Sequence, residues 1–109
     1  RTGRTLYNLE NHVRFLKEAH QGDALAVAMR VLDHDAKRVH LFAEVTRPRD
    51  GALLALNEAV LLHVDQRGER VRAAEMPEAT AAWLARAKAS AARLPAPAMR
   101  AGPLGLVRR

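Results

Sequence analysis

From Tyr7 to Asp65 apolar and polar positions alternate with period two, the repeat of a half-buried strand rather than of a helix. Tyr7, Leu9, Asn11, Val13 and Phe15 fall on one side of an extended segment, and Leu6, Glu10, His12 and Arg14 on the other. A turn at Gly22-Asp23, where glycine tolerates positive φ, opens a second run, Leu25, Val27, Met29 and Val31, that ends at Asp33. The loop His34-Asp35-Ala36-Lys37 then predicts a hairpin. Its second arm sets Val39, Leu41, Ala43 and Val45 on one face and His40, Phe42 and Glu44 on the other, the pattern of a half-buried strand. After the turn Pro48-Arg49-Asp50-Gly51, Leu53 to Val64 is apolar on both faces and predicts a central strand.

The turn Asp65-Gln66-Arg67-Gly68 leads into a short fifth strand through Val71, and Pro77 is placed as the first residue of a helix reaching about Arg93. Trp83, Ala87, Ala91 and Leu94 form one narrow apolar stripe on it, which predicts docking on the sheet or on a partner. Beyond it Pro95, Pro97, Pro103, Gly102 and Gly105 exclude regular structure. The expected organisation is α+β: an antiparallel sheet with a C-terminal helix over residues 1–93, followed by a flexible basic tail over 94–109.

A length of 109 residues suits one domain with a real core, and 49% hydrophobic with 28% charged residues is ordinary for a globular chain. The absence of cysteine removes disulfides and thiolate metal sites and fits a reducing, cytoplasmic setting. The longest apolar run, Ala52 to Val64, is broken by Asn57, Glu58 and His63 and is too short for a membrane helix, so no membrane role is expected.

The net charge of +6 raises the question of nucleic acid. Arg1, Arg4, Arg100, Arg108 and Arg109 carry most of the excess, leaving thirteen basic against twelve acidic residues between Thr5 and Arg93. A nearly neutral body with 4% aromatic residues lacks the basic stripe and stacking platforms that nucleic-acid domains use, and no such partner is expected.

Several polar side chains interrupt the strands. Glu10 and His12 are two apart, so their side chains share a face and suit the positioning of one water between them, although surface residues give the same pattern. Asn11 points to the apolar face, where an amide must find a partner or line a cavity. Asn57 and Glu58 break the fourth strand, and a buried carboxylate requires a partner or water. His40 and His63 show no metal-ligand spacing and read as satisfied structural histidines, and no metal site is expected. Asp33, His34 and Asp35 read as turn formers.

The strand Leu9-Glu10-Asn11-His12-Val13-Arg14-Phe15-Leu16, the Gly22-Asp23 turn, the hairpin from Asp33 to Phe42, and Leu61-Leu62-His63-Val64-Asp65 followed by Met76-Pro77 together resemble the hotdog-fold acyl-CoA thioesterases. The resemblance spans roughly residues 5–93 and is strongest to the betainyl-CoA thioesterase branch of carnitine catabolism, some of whose members are fused behind a carnitine dehydrogenase. It implies hydrolysis of a short polar acyl-CoA without metal or redox cofactor, coenzyme A being part of the substrate. It also implies a homodimer in which two sheets pair edge to edge.

In that chemistry a carboxylate activates water or attacks the carbonyl, donors hold the oxyanion and a basic rim meets the nucleotide phosphates. Glu10, Asn11 and His12 are then the catalytic candidates, and Arg14, Lys37, Arg38 and Asn57 the substrate-binding ones. A hotdog sheet wraps a long central helix that precedes the strand at Tyr7, and this sequence shows neither that helix nor the strand before it. The expectation is a longer natural chain, with the apolar side of Leu9, Val13 and Phe15 lacking its cover here. The rival reading is a non-catalytic hotdog-like binding or dimerisation module, since fold does not dictate activity.

Overall fold

The computed structural model describes residues 3–97, 99–101 and 106; of the residues named above, Arg1, Gly102, Pro103, Gly105, Arg108 and Arg109 lie outside these. Five strands and one helix follow in order: β1 (Arg4–Phe15), β2 (Ala26–His34), β3 (Arg38–Arg47), β4 (Ala52–Asp65), β5 (Arg72–Ala73) and α1 (Glu78–Ala92). All pairings are antiparallel, in the order β1-β4-β3-β2. β5 pairs with Val64 and Asp65, continuing the edge of β4 that β3 leaves at Leu62.

Local chemistry accounts for the turns. Gly22 and Gly51 adopt φ of 91° and 69°, which a Cβ would oppose. Asp35 Oδ1 accepts the backbone N–H groups of Lys37 and Arg38 at 3.1 and 2.7 Å, closing the β2–β3 hairpin. Asp50 does the same for Ala52 N–H at 3.1 Å while holding Arg47. The helix begins after Pro77, whose carbonyl accepts Ala81 N–H at 2.9 Å, and Glu78 complements the positive end of its dipole.

The register assigns the paired strand residues to faces, because cross-strand partners point the same way. One face carries the rows Asn11-Ala59-Leu41-Val31, Val13-Asn57-Ala43-Met29 and Phe15-Ala55-Val45-Val27. The opposite face carries Glu10-Val60-His40-Asp33, His12-Glu58-Phe42-Arg30 and Arg14-Leu56-Glu44-Ala28. β4 is the central strand, apolar on both sides as its composition predicts. β3, expected to be half-buried, has buried residues on both faces, Val39 and Ala43 on one and His40 and Phe42 on the other.

Two expectations change. A bulge between Asn8 and Glu10 breaks the alternation of β1, so Leu6 and Asn8 share the face of Asn11 and Val13, while Tyr7 shares that of Glu10. Leu84, outside the predicted stripe, is the helix residue that enters the core, packing with Val31, Val39 and Met76, while Trp83 is 57% exposed. Ala87 of the stripe does pack there.

α1 lies along β2 and covers only the end of the first face near Val31 and Val39. Val13, Val27, Met29 and Phe15 stay exposed on the rest, Phe15 at 83%. The radius of gyration, 15.9 Å, exceeds the ~13 Å of a compact domain of this length, in keeping with an open sheet.

Candidate active site

Glu10 and His12 stand on β1, beside one another on the face opposite α1. His12 Nε2 lies 3.6 Å from Glu10 Oε2, an ion-pair separation too long for a direct hydrogen bond. Their side chains are 63% and 41% exposed, so water reaches both. Among the described strands β1 pairs only with β4, so its outer edge is open.

Next to His12 in the same row is Glu58, wholly buried. His40 Nε2 meets Glu58 Oε2 at 2.8 Å, and Arg100 closes a fork on it, with Nη2 donating to Oε2 at 2.7 Å and Nε donating to Oε1. Ala101 N–H donates to Oε1 at 3.1 Å. Burial pushes the Glu58 carboxyl up, but the hydrogen bonds from Arg100 and His40 outweigh it and hold the group below its ordinary value. The need for a partner at Glu58 is legible in the sequence; the identity of that partner is not.

The chain after α1 therefore crosses this face. Arg30, on β2, donates to Pro95 O at 2.6 Å and pairs with Glu44 at 3.6 Å, while Arg14, on β1, reaches Arg100 O at 3.5 Å. The described residues 95–97 and 99–101 are irregular, as Pro95 and Pro97 require, and Arg100 and Ala101 lie over Glu58 as part of a strap.

Asn11 is on the other face, where its Oδ1 accepts from Asn57 Nδ2 at 2.5 Å across the diagonal of two strands. That bond joins two candidates that lie far apart in the sequence. A cavity of about 870 Å³ opens on the same face, between sheet and helix, lined by Leu41, His63, Met76, Trp83 and Leu84 among others. It is mainly apolar and is separated by the sheet from Glu10 and His12. His63 Nδ1 is bonded to Ala74 O at 2.8 Å, and His40 to Glu58, so both histidines have structural partners.

The basic candidates are not gathered in one place. Arg14 and Arg38 face the same way but sit in the rows of Leu56 and Leu62, six residues and ~20 Å apart along β4. Arg38 Nε and Nη2 are held by Asp35 Oδ2 at 2.9 and 2.5 Å, and Lys37 is exposed at the hairpin tip. Among the described residues no group of three or more His, Cys, Asp or Glu side chains is placed to hold a metal ion, and no helix is long and apolar enough to cross a membrane.

An antiparallel sheet with one helix against it, and with carboxylate, imidazole and amide side chains inside its strands, defines a class that comparison makes explicit. The chain matches the Thioesterase-like superfamily over residues 1–84 and belongs to it. It is 41% identical over 69 residues to the betainyl-CoA thioesterase of Pseudomonas aeruginosa, which covers 63% of this chain and 43% of that protein. It is 38% identical over 63 residues to the L-carnitine dehydrogenase/betainyl-CoA thioesterase of Rhizobium meliloti, 58% of this chain and 13% of that protein. A Staphylococcus aureus protein solved in complex with CoA superposes with a TM-score of 0.80 at 28% identity, covering 97% of this chain and 65% of that one. The fold is the hotdog fold of thioesterases. The chain spans less than half the length of either of these two curated relatives.

Proposed function

We propose that this domain hydrolyses a short acyl-CoA thioester to the free acid and coenzyme A, and that the acyl group is betainyl. The carrying observation is the Glu10–His12 pair, side by side at 3.6 Å and open to solvent on an edge strand of a thioesterase-family sheet. The names of the two curated relatives support the acyl group, and the CoA-bound Staphylococcus protein supports the carrier.

Chemistry then follows from the side chains. Glu10 or His12 takes a proton from a water, the water oxygen adds to the thioester carbonyl carbon, and the C–S bond breaks as the tetrahedral adduct collapses. The proton passes to the departing thiolate, so acid and thiol leave with atoms balanced. No step calls for a metal or redox cofactor. Arg14, beside the pair on β1, supplies positive charge for the phosphates of coenzyme A, while Lys37 and Arg38 lie ~20 Å away at the hairpin end, Arg38 held by Asp35. Asn11 and Asn57, joined on the far side, hold the strands of the site in register.

The open edge of β1 suits antiparallel pairing with a second copy, giving one continuous sheet across a homodimer, and the setting is cytoplasmic.

Thiol release from betainyl-CoA and acetyl-CoA tests the reading. Turnover that exceeds the buffer rate and is lost in Glu10→Gln is the expected result. A folded chain with no turnover on either ester points instead to a binding or dimerisation module.

A further inference from the structure

Glu58, wholly buried in the central strand, takes its counter-charge from outside the sheet: its cation is the Arg100 guanidinium, 42 residues on, carried by a segment whose described residues have no regular structure. The neighbour of Glu58 in the row on β3 is Phe42, also wholly buried, and His40 holds Oε2 from the side. A carboxylate beside an aromatic side chain, already holding one cation, supplies the partners that a quaternary ammonium requires, since such a group donates no hydrogen bond and is held by charge and π-face alone. The large cavity under α1 has no acidic residue in its lining, so it offers no such partner.

We propose that Glu58, with Phe42, is the binding site for the cationic head of the acyl group, and that Arg100 occupies it as an internal competitor which the substrate displaces. The inference rests on the thioesterase reading above for its choice of ligand. Its location fits that reading, because His12 is the neighbour of Glu58 in the row on β1, on the same face and on the side of the proposed base.

Charge permits the exchange. Asp33 is paired with Lys88 at 2.8 Å. With Arg100 lifted, the remaining charged groups of the three rows are Glu10, Glu44 and Glu58 against Arg14 and Arg30, so the face has room for one more cation. The exchange also unties the strap, since Ala101 N–H and the guanidinium leave the same carboxylate together and Arg14 gives up the Arg100 carbonyl. A tethered guanidinium competes at an effective concentration on the order of millimolar, so free ligand must work against it in the intact chain.

The test is a titration with two compounds of one shape. Glycine betaine carries the trimethylammonium group, and 3,3-dimethylbutyrate replaces its nitrogen with carbon and has no positive charge. The readout is the Arg100 Nε–H resonance in ¹⁵N-labelled protein. Betaine is expected to move it saturably while dimethylbutyrate leaves it in place. In Arg100→Gln betaine binding should tighten about tenfold or more, and in Glu58→Gln it should vanish.

Failure of betaine to move Arg100 up to about 100 mM overturns the proposal, as does an equal response to both compounds. Should either variant fail to fold, the wild-type titration still decides. No turnover is needed for this readout, so the two claims fail separately. A chain that cleaves acetyl-CoA yet ignores betaine overturns the cation site alone, and a chain that binds betaine yet cleaves no thioester overturns the catalytic reading alone.

Discussion

Glu58 and Arg100 close a forked ion pair that ties the segment after the helix to the central strand of the sheet. The carboxylate is wholly buried, so deleting it leaves His40 and the guanidinium facing an apolar gap. Glu58→Ala should cost ~3–5 kcal/mol, and Glu58→Gln, which keeps one of the two acceptor oxygens and fills the same volume, less. Urea unfolding of the two variants against wild type measures this. A loss below ~1 kcal/mol in Glu58→Ala would mean that the pair does not hold the fold together.

The same pair makes stability depend on pH. Burial raises the Glu58 carboxyl, but Arg100 and His40 lower it further, so the folded protein holds this proton less tightly than the unfolded chain does. The stabilisation is therefore complete above the ordinary carboxyl value of 4.5 and is lost as pH falls through the lower folded value. Asp23, lowered mainly by the His20 backbone N–H, and Asp50, drawn down to about 2 by Arg47, add to acid sensitivity. Subtraction isolates the Glu58 part: wild type minus Glu58→Gln should shrink steadily from about pH 5 downwards, and a constant difference would contradict the account.

On α1, two adjacent residues should respond unequally to truncation. Leu84 is 6% exposed and packs with Val31, Val39 and Met76, so Leu84→Ala should cost ~2–4 kcal/mol and loosen the helix from β2. Trp83→Ala, at a ring mostly in water, should cost well under half as much. Thermal unfolding of both variants checks the order, and equal losses would place Trp83 in the core after all.

The misreading of that helix shows what sequence can carry. Strands β2 to β4 and their turns are legible because period-two alternation, Gly22, Gly51 and the Asp35 turn are local signals. The start of α1 is legible because Pro77 fixes φ and cannot donate. In an alanine-rich helix, though, the stripe through Trp83 and the one through Leu84 differ by one residue, and only the sheet beneath decides which is buried. The bulge at Leu9 leaves no mark in composition, yet it moves Leu6 and Tyr7 to opposite faces from those expected. At the site, the shared face of Glu10 and His12 and the opposite placement of Asn11 follow from strand geometry. Arg100 could not be found this way, because a lone arginine among prolines and glycines signals a loop and says nothing of a carboxylate on β4.

Which face does the chemistry is the central question, and a kinetic comparison of Glu10→Gln with Asn11→Ala on betainyl-CoA addresses it most directly. With folding verified by circular dichroism, Glu10→Gln should lower kcat about 10²–10⁴-fold while Asn11→Ala stays within about tenfold of wild type. The reverse order, with Glu10→Gln near wild type and Asn11→Ala inactive, would move the reaction to the helix face and contradict the account.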